Sequence, residues 1–168
     1  MSDPSELLHA STRDALDRLA LAYEVMPCDP ALADTAAFVE AYGVPPERSA
    51  NTIVVASKVA EPSYVACVLL ATTSLDVNKV VRREMGVRKA SFAGADPVRE
   101  LTGMEIGGVT PFGLPAELPI FVDARVMEPE WVILGGGNRS SKLRVAPSVL
   151  GALPAVRVIE GLAYPRPS

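Results

Sequence analysis

Side chains that usually carry out catalysis are scarce in this chain. Histidine occurs once, as His9 near the N-terminus, and cysteine twice, as Cys28 and Cys67, with no Cys-x-x-Cys pair. This gives neither a zinc site nor a redox couple, and Cys67, inside the apolar run from Tyr64 to Leu70, reads as a buried, inert thiol. Long apolar runs are missing too, since every one falls short of the roughly 18 residues that mark a membrane span. The opening Met1-Ser2-Asp3-Pro4-Ser5-Glu6 is acidic and polar, unlike a signal peptide, so the expected location is the cytoplasm. An excess of positive charge is also absent: the formal net charge of −4 argues against broad, non-specific binding to nucleic acid, which depends on neutralising phosphates. Nothing calls for a metal or an organic cofactor.

What the chain does have is apolar material and glycine. With 168 residues, 49% of them hydrophobic, it can bury a sizeable core as one domain over 1–168 without a covalent staple. Two glycine-rich loops, Gly107-Gly108-Val109-Thr110-Pro111-Phe112-Gly113 and Gly135-Gly136-Gly137-Asn138-Arg139, each border an apolar strand-like run. Glycine lets the backbone come within hydrogen-bond reach of a ligand, and successive N–H groups can hold a developing negative charge. A site made of main chain is therefore expected. Two local basic groups stand out against the acidic average, Lys79 to Lys89 with a single Glu84, and Arg139 with Lys142 and Arg144. Taken alone, such groups read as solvated faces.

Apolar spacing predicts an amphipathic helix from about Pro4 to Ala22, a strand over Tyr23 to Met26, and a second helix from Asp34 or Thr35 to Tyr42 stopped by Gly43. Thr52 to Ala56 and Tyr64 to Leu70 read as strands joined by a turn over Lys58 to Ser63. A third helix is expected from Asp76 to Met85, with Val77, Val80, Val81 and Met85 inward and Lys79, Arg82 and Arg83 outward. Further on come a strand near Arg88 to Phe92, a helix from Asp96 with Pro97 at its first position, strands at Leu118–Val122, Trp131–Leu134 and Leu143–Val145, a short helix from Pro147, and a closing strand over Ala155–Ile159. Pro165 to Ser168 reads as a loose tail. This order implies an α+β fold with a mixed central sheet and peripheral helices.

The ordered features become specific when read together: a Thr-bearing helix ending in Gly43-Val44, the strand Asn51-Thr52-Ile53-Val54-Val55, the segment Leu75 to Val80, and the two glycine loops. From roughly Leu16 to Leu153 the chain resembles the YbaK/prolyl-tRNA synthetase editing-domain family. The resemblance implies a partly barrel-like central sheet and a free-standing protein that hydrolyses the ester of mischarged aminoacyl-tRNA without a metal or a nucleophilic side chain. Its partners would be the acceptor end of a tRNA carrying its aminoacyl group and an aminoacyl-tRNA synthetase.

By the same resemblance, Gly107 to Pro111 corresponds to the family's Gly-x-x-x-Pro loop, which lies against the substrate carbonyl. Gly107 and Gly108 are then the backbone donors, and Thr52, Val109, Thr110 and Pro111 are substrate-binding. The second loop, through Gly136, Gly137, Asn138 and Arg139, would line the same pocket. Asn51 occupies the place where the family has a lysine that meets the tRNA terminus, and it is assigned to the catalytic set with no neighbouring lysine to take over. Lys58 lies about 23 Å further along an extended strand and reads as a turn residue, so Arg139 is the nearer source of charge. Lys79, Arg82 and Arg83 would meet tRNA. The alternative is a pocket retained for binding alone, of an aminoacyl group, a tRNA end or a related small molecule.

Overall fold

Two adjacent strands organise the molecule. Tyr64–Leu70 (β3) is buried on both faces: Ala66, Val68 and Leu70 belong to one apolar cluster, and Val65, Cys67 and Leu69 to another. Ala50–Ser57 (β2) runs antiparallel to it, in a register pairing Thr52 with Val68 and Val54 with Ala66. β-branched side chains suit such a doubly covered pleat, and each fully buried Val or Leu contributes roughly 1.5–3 kcal/mol. The structure, a computed structural model, describes residues 4–166.

Around this pair the sheet is mixed. Ala90–Phe92 (β5) joins β2 antiparallel, while Ile120–Asp123 (β6) and Val156–Ile159 (β9) extend the other side in parallel, giving the order β5-β2-β3-β6-β9. A second sheet, of order β1-β8-β7, consists of Glu24–Pro27 (β1), Ser141–Val145 (β8) and Val132–Gly135 (β7). Its Val132, Leu134, Leu143 and Val145 meet Ala66, Val68 and Val122 in one core, together with Leu16 and Phe112. Thr73–Leu75 (β4) and Ala163–Pro165 (β10) form a short ladder of their own. The sheets stay open, which corrects the expectation of a partly barrel-like closure: among the described residues there are three separate sheets, and a lone parallel bridge between Ser49 and Ile133 links the start of β2 to β7.

The helices mostly follow the sequence reading. Thr35–Tyr42 (α2) stops at Gly43, whose φ of 66° is left-handed, and it buries Phe38 against Cys28, Ala33, Val44 and Ile133. The N-terminal helix is divided: a 3₁₀ turn over Pro4–Leu7 precedes Ala10–Arg18 (α1), because the His9 ring accepts from the Ser11 N–H and restarts the helix there. The expected helix after Asp76 opens as a widened π turn over Val77–Val81 before Arg82–Met85 (α3). In Ala95–Thr102 (α4), Pro97 takes the third position rather than the first, still within the first turn, where a backbone N–H has no intrahelical partner and proline's lack of one costs nothing. Pro165 and Arg166 are not a loose tail, since β10 pairs with β4 and Arg166 Nε donates to the Thr73 carbonyl. Pro167 and Ser168 lie outside the described residues.

Candidate active site

The site begins with an unfinished strand edge. Ser57 donates to Ser63 and Ala71 donates to Ser49, so the odd-numbered residues of β2 direct their N–H and C=O groups toward β3. The even-numbered ones must face the opposite edge, as the bonds Ala93 N–H to Val54 O and Lys58 N–H to Lys89 O confirm. β5 covers that edge only from Val55 to Ser57, and the Ser49–Ile133 bridge covers its beginning. Between them, among the described residues, no ladder covers the edge of β2 that faces away from β3 at Thr52. The Thr52 hydroxyl is also buried without a hydrogen-bond partner.

A cavity of about 270 Å³ opens on this gap, and Asn51, Thr52, Asp34, Thr35, Gly107 and Lys142 supply its polar lining. Helix α2 brings Thr35, whose hydroxyl donates to Asn51 Oδ1. Asp34, at the N-cap position, makes no side-chain cap bond and turns outward to Arg139 at 3.1 Å. The first-turn N–H groups of α2 therefore remain uncapped by that carboxylate, and the partial positive end of the helix lies beside the cavity. Ile53, Val54, Ala93, Val98, Ile106 and Val109 form the apolar walls.

Lys142 is the residue that the sequence reading missed as a member of the site. It is 6% exposed, and its Nζ donates to Ala33 O at 2.7 Å and to Gly107 O at 3.3 Å, 5.1 Å from the centre of the Phe38 ring. Burial holds the ammonium below its ordinary 10.5, and Arg139 acts in the same direction while Cys28 and Asp34 oppose it. No carboxylate approaches within ion-pair distance of Lys142 among the described residues. Its one sequence signal is its place directly after the second glycine loop; the structure then sets it opposite Gly135 across the β7–β8 ladder.

The two glycine loops are packed on each other more than on the cavity. Gly107 lines it and has a φ of 90°, and a Cβ there would sit 2.2 Å from Arg139 Nη1. Gly108, expected as a second oxyanion donor, is otherwise engaged: its N–H closes a turn onto Glu105 O and its carbonyl accepts from Gly137. Of the second loop only Gly135 reaches the cavity lining. Gly136 abuts Ser141 and Gly137 abuts His9, so both serve close packing rather than the pocket wall expected of them. Asn138 holds Leu7 O, the Ser140 N–H and the Ser141 hydroxyl. Arg139 spends Nε on Pro30 O and Nη1 on Asp34 and Ile106 O, so it clamps the first loop to the start of α2.

The other candidates separate. Val109 lines the cavity, Thr110 is buried with an unpartnered hydroxyl, and Pro111 faces a different, largely apolar cavity beside α1. Lys58 lies beyond the end of β2 in a separate surface cleft, which Asn51 also borders. Lys79 and Arg83 are exposed as expected, and Arg82 donates to Asn78 O. Cys67 is buried with its thiol pushed up to about 12, and Cys28 is raised by burial as well. Among the described residues no group of His, Cys, Asp or Glu is arranged to hold a metal, and no helix is long and apolar enough to cross a membrane.

Comparison with known proteins gives the family and the fold. The chain is 32% identical over 112 residues to the uncharacterized protein YwhH of Bacillus subtilis (strain 168), covering 62% of this chain and 71% of that one. Its fold superposes on a solved structure described as a proposed trans-editing enzyme for prolyl tRNA synthetase, with TM-score 0.76, 23% identity, and 95% and 97% of the two chains covered. The hypothetical protein APE2540 gives TM-score 0.80 at 23% identity, covering 92% of this chain and 99% of the other. The model of the aminoacyl-tRNA editing domain matches residues 29–152, and with them every residue that lines the cavity on the edge of β2; the chain belongs to the aminoacyl-tRNA editing-domain family.

Proposed function

We propose that this protein hydrolyses the ester bond of mischarged aminoacyl-tRNA as a free-standing, trans-acting editor in the cytoplasm. The observation that carries the reading is the cavity at the open edge of β2, where Asn51, Thr52, Gly107 and Lys142 converge in a chain matching the editing-domain model. At about 270 Å³ it lies just below the ~300–1,000 Å³ usual for small-molecule sites, so it suits an aminoacyl group and leaves most of the nucleotide outside. An aminoacyl ester brings its own vicinal ribose hydroxyl, which can position or activate the attacking water. The protein has then to orient the ester, exclude bulkier acyl groups and stabilise the charge formed on the carbonyl oxygen.

In this reading the Gly107 backbone and Val109 pack on the acyl group, and Thr52 meets the ester from the strand edge. Asn51 uses its remaining amide donors on the terminal nucleotide, while Lys79, Arg82 and Arg83 attract the acceptor stem. A synthetase that produces the mischarged tRNA is the natural partner.

The test is a panel of mischarged tRNAs incubated with the protein, read as release of free amino acid. Release from small or medium acyl groups, faster than spontaneous hydrolysis and saturable in protein, is the expected result. If nothing in the panel is released although the aminoacyl end still binds, the pocket is a binding module and the hydrolytic reading is wrong.

A further inference from the structure

Of the two backbone donors expected in the first glycine loop, one is already engaged. Gly108 N–H is occupied by Glu105 O, and Gly107 turns its carbonyl, an acceptor, toward Lys142. A carbonyl facing the site cannot stabilise negative charge. Two other donors border the same cavity. An ammonium has three N–H bonds, and two of Lys142's are given to Ala33 O and Gly107 O, which leaves one. Thr52 has a main-chain N–H on the unpaired side of β2, fixed there by the parity of the β2–β3 ladder.

We propose that Lys142 Nζ and the main-chain N–H of Thr52 form the anion-holding pair of this pocket, taking the carbonyl oxygen of a bound acyl ester as it becomes negatively charged. Three observations bear on it. Lys142 is buried in the cavity lining without a carboxylate partner, although a buried cation is ordinarily paired. Its two carbonyl partners come from distant parts of the chain, the start of α2 and the first glycine loop, so the ammonium is fixed in position rather than mobile. The uncapped first turn of α2 adds a positive partial charge on the same side.

This inference rests on the hydrolytic reading above and assigns its electrostatic part. In the step it describes, water oxygen adds to the ester carbon and the carbonyl π pair moves onto oxygen beside Lys142 and Thr52. The water proton passes through the vicinal hydroxyl to the departing ribose oxygen as the C–O bond breaks. Free amino acid and a ribose hydroxyl result; no oxidant or reductant is involved and Lys142 stays protonated.

The experiment compares two stable analogues by calorimetry: the alanyl amide of 3′-amino-3′-deoxyadenosine, neutral at the reacting centre, and the corresponding aminoethylphosphonate monoester of adenosine, tetrahedral and anionic there. The natural protein should bind the phosphonate more tightly. Lys142→Met should weaken the phosphonate by at least about 30-fold and the amide by less than about threefold, with Lys142→Arg between, because a buried charge-assisted contact is lost with one and displaced with the other. Thr52→Pro deletes an N–H that β3 does not use together with the side-chain hydroxyl, so Thr52→Val, which keeps the N–H, is its control: the proline variant should reduce phosphonate binding in the same selective way and the valine variant should not, with a melting curve to verify each fold. Equal binding of the two analogues by the natural protein, or equal losses for both analogues in Lys142→Met, would overturn the proposal. If selective loss is seen but no mischarged tRNA is hydrolysed, the anion site stands and the hydrolytic reading falls.

Discussion

The N–H of Gly137 donates to the carbonyl oxygen of Gly108 at 2.7 Å, tying the two glycine loops together. A Cβ on Gly108 would come within 2.1 Å of Asn138 O, a main-chain atom that cannot move aside without opening this contact. Gly108→Ala should therefore cost about 1–3 kcal/mol through overpacking. At ~2–4 °C per kcal/mol for a chain of this size, the melting temperature falls by several degrees. Gly151→Ala provides the contrast, because nothing lies within 4 Å of its Cβ. That substitution should be neutral, or stabilise by about 0.4–1 kcal/mol through the unfolded chain. Equal melting temperatures for the two variants would show that the loops are not locked as described.

Asn51 is tied to Thr35 by its carbonyl oxygen, so it positions the start of α2 as well as facing the cavity. Asn51→Ala should cost about 0.5–1.5 kcal/mol of stability for the lost hydrogen bond. If Asn51 meets the terminal nucleotide as proposed, Asn51→Lys adds a charge there and should tighten an acylated minihelix by roughly tenfold, the lower part of the range for a charge-assisted contact. Binding of that minihelix unchanged in both variants would place Asn51 outside the recognition surface.

Lys79, Arg82 and Arg83 share the outward side of the π turn and α3 while Val77 and Val81 are buried. Replacing all three by alanine should weaken tRNA of any sequence and lower the salt slope of binding by about two units, at ~0.7–0.9 per phosphate contact. Melting should change little. An unaltered salt slope would remove this face from the tRNA path.

Asp123 carries a pH signature. It is fully buried, accepts from Ala163 N–H with one oxygen, and leaves the other without a hydrogen-bond partner, 3.8 Å from Arg125. Desolvation raises its pKa above the ordinary 3.8, against smaller opposing contributions from the Ala163 N–H and Arg125. With the folded value above the unfolded one, Asp123 disfavours the folded state increasingly as pH rises from 3.8 through the folded value. Asp123→Asn should thus melt close to the natural protein at pH about 3 and progressively higher than it toward neutrality. A melting difference that shrinks with rising pH would reverse the assigned sign.

Much of the framework was legible because it depends on local chemistry. The β2–β3 hairpin follows from β-branched runs around a polar turn, and the end of α2 from a left-handed Gly43. The β4–β10 ladder was not, since its strands are three residues each and carry no period. The π turn after Asp76 has the same apolar spacing as an ordinary helix, so spacing alone could not show it. Lys142 was visible only as one of three basic residues near the second loop. Its burial comes from α2 and the first glycine loop folding over β8, an outcome of tertiary packing that no local pattern of charge encodes.

An incomplete strand edge also decides what genetics can see. The donor and acceptor that Thr52 offers belong to its peptide groups, and a change of side chain leaves both in place. A scan replacing each residue by alanine would find Lys142 and pass over this part of the floor, scoring Thr52 only for its hydroxyl. Related chains could share the recognition while differing freely in the letter at this position, so identity there is a poor index of shared chemistry. Only proline or a backbone ester, which delete the N–H itself, can report on the edge.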